Sequence, residues 1–455
     1  MIDAVTVERH GFPGHLRSVP DEIDATALPV TGVLPPGLTG RYLRNGPNAL
    51  PGQTTAHFQV GPGMLHGVRL REGRAEWYRN RWIRTAAFHG RPYAAGGRLD
   101  LTAVPANTHV IAHARRIFAL VEAGLPYEVS PDLDTIGPCD FDGRLTTAMT
   151  AHPKRDPATG DLHFFGYGMV PPHLTYHRLD AKGELVHSRE VAVPASTMTH
   201  DFAITERHCV WLDLPLTFRR DLLGRGVPYQ WDDGYGARIG LMRHDVPDAA
   251  VQWFDVEPCF VMHTGNAHED PSGRVVLDAI RYTPAEFATL WGLMTRTADL
   301  TGPHARPARA VLHRWTLDPA TGRVTEETLD DQEIEFPAVD GDRLGRPTRH
   351  LYAVTGADPR ALSPCAIVKY DLVTGRATRY DLDPDTVIGE PVFTPATSAP
   401  REEDDGWLLS VATRRDGSAS RLLVLDAADL AAGPVAAVEL PRGVPTGFHG
   451  SWFPD

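Results

Sequence analysis

Histidine is the residue type in this chain with the most chemistry to offer, standing at 21 of 455 positions. A neutral imidazole is a metal ligand, and its titration near neutrality makes it an acid–base group. Most of the 21 sit in contexts that call for neither. His10, His15, His89, His187, His304, His313 and His350 lie in polar or turn stretches and read as surface residues. His57, His66, His109, His113, His163, His173, His177, His208, His244 and His268 read as ordinary histidines, with His66 and His268 the strongest exceptions. Four stand apart: His152 in Met-Thr-Ala-His-Pro, His200 in Met-Thr-His-Asp-Phe, His263 in Val-Met-His-Thr-Gly-Asn and His449 in Gly-Phe-His-Gly-Ser-Trp. Each lies at a strand end beside a small or turn residue. Their intervals fit a metal site supplied by successive repeats, with one longer skip. Coincidence stays open on spacing alone, because residues so far apart carry no helical i, i+4 check.

What must position such a set is a ring of strands. Gly (42) and Pro (39) are frequent and spread as punctuation, which means many turns. Between them lie short runs of β-branched, aromatic and aliphatic residues at 116–121, 162–167, 207–213, 238–242, 274–280, 366–370, 407–411 and 421–425. Helical patterns are confined to 284–295 and 219–223. A weak repeat of strand, Asp/Gly turn or longer loop, and alternating second strand recurs at 176–190, 313–328, 369–381 and 421–440. Repeated antiparallel units of about 40–50 residues point to a β-propeller. Seven blades would use roughly 350 residues and leave about 100 for caps and loops. A β-sandwich with insertions is the competing architecture, but no linker divides the chain to accommodate one. The expectation is an all-β single domain over 1–455, with residues 1–25 as a loosely held N-terminal arm.

Composition narrows the function classes. With 45 Lys plus Arg against 58 Asp plus Glu, the net charge is −13, which argues against a nucleic-acid binder. No run approaches the roughly 20 apolar residues of a membrane-spanning helix, and the start lacks a secretory pattern. Cys139, Cys209, Cys259 and Cys365 are too few and too scattered for a disulfide framework or a thiolate metal site. The expected location is the cytoplasm.

Seven words then stand in order along nearly the whole chain: Arg-Tyr-Leu-Arg-Asn-Gly-Pro-Asn (41–48), Glu-Ala-Gly-Leu-Pro-Tyr-Glu (122–128), Thr-Ala-His-Pro-Lys-Arg-Asp-Pro (150–157), Met-His-Thr-Gly-Asn-Ala (262–267), Gly-Glu-Pro-Val-Phe (389–393), Glu-Asp-Asp-Gly-Trp (403–407) and Gly-Phe-His-Gly (447–450). Together they resemble the carotenoid cleavage oxygenase family. The resemblance implies a seven-bladed β-propeller capped by a dome of loops and short helices over the active-site face. It implies a non-haem Fe(II) on the propeller axis held by His152, His200, His263 and His449. It also implies that Glu122 orients His200, Glu335 (in Glu-Phe-Pro) orients His263 and Glu390 orients His449, leaving His152 without a carboxylate. Imidazole suits ferrous iron, and four neutral rings leave the ion its full charge with up to two positions for O2 and water. A glutamate that accepts the distal N–H fixes each ring's tautomer.

The implied reaction is cleavage of a conjugated C=C bond by O2 to two carbonyl products. The alkene supplies all four electrons, so no external reductant, protein acid or protein base is required. Phenol-cleaving members typically carry Lys before the first glutamate; Val121 stands there and favours a carotenoid or apocarotenoid over a stilbene or phenylpropene. The implied partners are O2 and a lipophilic polyene, with no nucleic acid and no obligate protein partner. Residues 214–223 and 287–294 are apolar stretches that could touch a lipid surface or pack on the propeller. Where the family usually shows an aromatic followed by Asp-Gly-Asp-Gly-Met, this chain reads Phe58-Gln-Val-Gly-Pro-Gly-Met64, so Phe58 and Met64 are placed with Val121 at the substrate tunnel. His268 stands where Tyr or Trp is commoner. A non-catalytic propeller scaffold is the remote alternative, and it gives no reason for the four histidines and three glutamates.

Overall fold

Seven antiparallel sheets are arranged as the blades of a β-propeller in the computed structural model, which describes residues 14–53, 60–223, 227–295, 309–356, 364–396 and 401–455. Blades two to six are consecutive four-stranded units. Their innermost strands are His109–His113, Lys154–Arg155, Ala203–Ile204, Phe260–Glu269 and Ile334–Ala338. The two ends of the chain close the ring. Gly450–Pro454 pairs with Gly40–Pro47 as the innermost strand of blade one, and Val30–Gly32 pairs with Pro434–Glu439 at the outer edge of blade seven. Opening the ring therefore requires breaking two separate ladders.

The strand patterns follow from where each strand lies in its blade. Outer strands such as Arg376–Asp381 and Leu185–Glu190 alternate exposed and half-buried residues, because one face meets water. Middle strands such as Ala366–Asp371 are buried almost throughout, because blades cover both faces. The repeated Asp–Gly hairpins have one mechanism. Asp318 Oδ1 accepts the Ala320 and Thr321 amides, and Gly322 closes the turn at φ +71°; Asp371 and Gly375 (φ +70°) repeat the device one blade on.

The cap over one end of the ring includes a long insertion between the second and third strands of blade five. Its helix, Pro284–Thr295, starts with Pro at its first position and a capping box in which Thr283 and Glu286 bond each other's backbone amide. Phe287 and Leu290 bury this helix against the propeller. The expected helix at 219–223 is a single 3-10 turn, Arg220–Leu222. Of the arm expected over 1–25, residues 1–13 lie outside the described residues. From Gly14 onward the chain is packed: His15 is buried, and Val19 exchanges hydrogen bonds with the Asn48 side chain.

Candidate metal centre

The inner end of every blade contributes one ionisable side chain toward the axis or its immediate surround. In chain order these are His109, His152, His200, His263, Glu335, Glu390 and His449. His152, His200 and His449 lie within three residues of the start of an inner strand. His263 sits inside Phe260–Glu269, where the ladder to the next strand slips between Val261 and Thr264. That bulge takes His263 out of the regular pairing and frees its side chain for the axis.

The rings converge. His152 Nε2 lies 3.2 Å from His200 Nε2, which lies 3.4 Å from His263 Nε2. Among the described residues, His152, His200 and His263 are the group whose ligand atoms all lie within 4.8 Å of one another. The His449 ring flanks them, its centroid 4.7 Å from that of His152 and 4.9 Å from that of His263, but it falls outside this tighter set.

Carboxylates decide which nitrogens face one another. His263 Nδ1 donates to Glu335 Oε2 at 2.5 Å, His449 Nδ1 donates to Glu390 Oε1 at 3.0 Å, and His200 Nδ1 contacts Glu122 Oε1. An ionised carboxylate can only accept, so each of these rings carries its proton on Nδ1 and turns an Nε2 lone pair inward. Two lone pairs at 3.4 Å, on His200 and His263, repel unless a positive centre lies between them. The donor set therefore fits a divalent cation that accepts imidazole nitrogen. His152 has no carboxylate partner among the hydrogen bonds of the described residues.

Burial works on these groups in opposite directions. It pushes His152 well below the ordinary imidazole range, helped by the neighbouring rings of His200, His449 and His263. For Glu335 burial opposes ionisation, yet His263 and the Phe336 amide outweigh it and hold the carboxyl below its usual value. Glu390 is lowered in the same way against burial, chiefly by His449. His263 shows the reciprocal effect, raised by Glu335 despite burial.

A cavity of about 1180 Å³ opens on the rings, lined by His200, His263, His449 and the three glutamates. Its walls are otherwise mainly apolar, with Val121, Phe88, Met198, Leu290 and Met294 among them. His152 is not part of the lining. Val121 borders the cavity. Phe58 lies outside the described residues. Met64 does not line the cavity: it is fully buried inside blade one with Val19 and Trp82, because its strand begins at Gly63 and turns the side chain into the blade. Instead Val60, Gly61 and Pro62 border the cavity, held by Asn107 Nδ2 donating to the Gly61 carbonyl at 3.0 Å.

Four neighbours were not singled out by sequence. Tyr167 donates to Glu122 Oε2 at 2.7 Å and Tyr282 to Glu335 Oε1 at 3.1 Å, while Glu390 Oε2 accepts the Gly450 amide at 3.0 Å, so all three carboxylates are themselves held. Phe336 stacks on His263 with centroids 5.1 Å apart, at a backbone φ of +53° that a side chain rarely adopts. The Glu-Phe-Pro word contained that residue without indicating its strain. His109 spends both nitrogens, Nδ1 on the Ala151 carbonyl (2.8 Å) and Nε2 on Ser451 Oγ (3.4 Å), beside the His449 ring. Burial lowers it to about 4, which keeps it neutral. The other two exceptions stay apart: His66 bonds Tyr78 Oη, and His268 is half-buried on its strand. Two histidines read as surface residues, His15 and His313, are buried; His313 packs on Trp315 and faces Glu326 across its hairpin.

Comparisons with known proteins bear on the family and the fold. A family model described as retinal pigment epithelial membrane protein matches residues 16–454. The carotenoid cleavage oxygenase of Mycobacterium tuberculosis is 39% identical over 500 aligned positions, covering 97% of this chain and 97% of that one. Among solved structures, the lignostilbene dioxygenase of Pseudomonas brassicacearum superposes with a TM-score of 0.85 at 28% identity, covering 99% of each chain. A cobalt-substituted form of the Synechocystis apocarotenoid oxygenase gives a TM-score of 0.82 at 28% identity, covering 96% of this chain and 97% of that one.

Proposed function

The chain belongs to the carotenoid cleavage oxygenase family, and from that premise we propose that it is an Fe(II) dioxygenase acting on a carotenoid or apocarotenoid. The whole chain acts as one domain in this reading, and O2 and the polyene are its two substrates. The observation that carries it is the convergence of unprotonated imidazole nitrogens at the end of a large apolar cavity. His152, His200, His263 and His449 would hold the ion. When bound, ferrous iron would supply the means of bringing O2 and the alkene together.

The protein's own residues do the rest. Glu122, Glu335 and Glu390 keep the Nδ1 protons in place, so the rings remain neutral donors and the ion's charge is not reduced by a directly bound carboxylate. Phe336 presents apolar surface beside the rings and Val121 adds to the apolar wall of the cavity, which suits a polyene and excludes water. Cleavage breaks the C=C and O–O bonds and forms two C=O bonds, so atoms and electrons balance without another reductant.

A lipophilic substrate would enter from a lipid surface. Val60, Leu99, Val170 and Val227 are exposed and also border the cavity, with exposed Leu223 near by in sequence. This rim supports transient membrane contact better than the two stretches noted from sequence, since Leu214, Leu216, Phe287 and Leu290 are buried. Among the described residues no helix is long and apolar enough to cross a membrane. Absence of binding to anionic vesicles at low salt would remove this part of the reading.

The second reading, cleavage of stilbenes or phenylpropenes, draws support from the likeness to the lignostilbene dioxygenase and is opposed by Val121. Incubating Fe(II)-loaded protein with an apocarotenal, resveratrol and isoeugenol under 18O2 separates the two. Labelled aldehydes from the apocarotenal alone support the first reading; products from the phenols alone replace it with the second.

A further inference from the structure

The three glutamates orient rings, but nothing so far explains what keeps the backbones that carry those rings in mutual register. Three inner ends, on blades three, four and five, must meet to within a few tenths of an ångström although each belongs to a separate sheet. One side chain joins all three. Asp201, which follows His200 directly, is 2% exposed. Its Oδ1 receives Lys154 Nζ at 2.8 Å, and Lys154 stands two residues after His152. Its Oδ2 accepts both the backbone amide and the hydroxyl of Thr264 at 2.8 Å each, and Thr264 follows His263. Oδ1 also accepts the amide of Phe202 at 2.8 Å, which fixes the carboxylate on its own chain.

We propose that Asp201 is a positioning residue that locks the segments bearing His152, His200 and His263 into the spacing a metal ion requires. This rests on the reading of those histidines as ligands. An ordinary buried ion pair would stabilise the fold wherever it lay; this one ties three ligand-bearing segments, within two residues of each ligand. The carboxylate is needed because no neutral side chain of this size accepts two hydrogen bonds from one strand and pairs with an ammonium from another. Asp201→Asn keeps the volume and one acceptor but turns an amide toward Lys154, so the third blade's segment loses its anchor.

The test uses the full chain and Co(II), a redox-stable probe whose visible absorption reports ligand geometry. Asp201→Asn should weaken Co(II) affinity about 10–100-fold and alter the visible spectrum of the bound ion. Thr264→Val removes only the hydroxyl, which also contacts the Phe202 carbonyl, and should cost less metal affinity, about threefold to tenfold. Asp278→Asn is the control: it breaks a comparably buried pair with Arg314, 2.7 Å long, away from the axis. It should lower Tm and leave affinity and spectrum unchanged. Unaltered affinity and spectrum in folded Asp201→Asn would overturn the proposal, and so would unaltered affinity in Thr264→Val should Asp201→Asn not fold. Wild-type protein that takes up no Co(II) would overturn the ligand assignment itself, and this inference with it.

Discussion

Two pairs of histidines in this protein have ring centroids 4.6 Å apart, and they do different things. His152 and His200 meet on the propeller axis. His163 and His244 meet between blades three and four. In both pairs burial lowers at least one imidazole, so neither density nor burial of histidine tells them apart. Direction does. Off the axis, His163 Nδ1 bonds Tyr176 Oη at 2.8 Å and His244 Nε2 donates to the Thr205 carbonyl at 3.1 Å. Thr205 in turn donates to Glu269, which also takes His208 Nδ1 at 2.7 Å. The two ring bonds each stay within their own blade, and the Glu269 bonds tie blade four to blade five. On the axis carboxylates occupy Nδ1 of His200, His263 and His449, and the Nε2 atoms of these three rings are turned inward beside His152. A hydrogen-bonded histidine pair is cement; three facing lone pairs are a cation site.

The largest expected effect breaks the axial side. His263→Ala should abolish cleavage and metal uptake, whereas His163→Ala should keep full metal content with a lowered Tm, as metal analysis and thermal unfolding would show. Equal metal content in the two variants would erase the contrast. Next, Glu335→Gln leaves the ring in place but weakens its hold on the Nδ1 proton, and a loss of about 10–100-fold in metal affinity or activity should follow. Off the axis, Tyr176→Phe removes one partner of a buried ring nitrogen; urea unfolding should show a loss of about 1–3 kcal/mol, with metal affinity unchanged.

The smallest effect is a pH signature of the off-axis network. Burial favours the neutral form of Glu269, but His208 and Thr205 overcome it and bring its carboxyl down to about 2 in the folded state. Because this is below the ordinary value, Glu269 stabilises the fold at pH above the unfolded pKa and loses that contribution as pH falls through the folded one. Glu269→Gln should therefore be less stable than wild type at neutral pH, with the gap narrowing as pH falls below about 4.5. The same substitution should leave metal affinity at neutral pH untouched.

Much of the fold was legible in the sequence because strand signals are local. Each of the eight runs identified by composition lies on a strand, and the helical pattern expected at 284–295 is the helix Pro284–Thr295. The four histidines and three glutamates were legible through words in family order, and six of those seven side chains line the cavity. What escaped is what depends on distant packing. Tyr167 and Tyr282 lie on middle strands that look like ordinary core, and only the assembled ring brings their hydroxyls to Glu122 and Glu335. Met64 was misplaced because a motif gives position along the chain but not which side of the strand a residue faces. His313 was misread because its partners, Thr328 and Glu326, lie across the hairpin, and the folded hairpin buries the ring with them and Trp315.

The central claim is that distant histidines converge to hold one ferrous ion. Loading wild-type and His200→Ala protein anaerobically with Fe(II), removing free metal and measuring bound iron by elemental analysis tests it most directly. The account expects about one iron per chain in the wild type and almost none in the variant, with both folded by circular dichroism. Iron retained by the variant, or none taken up by the wild type, would contradict it.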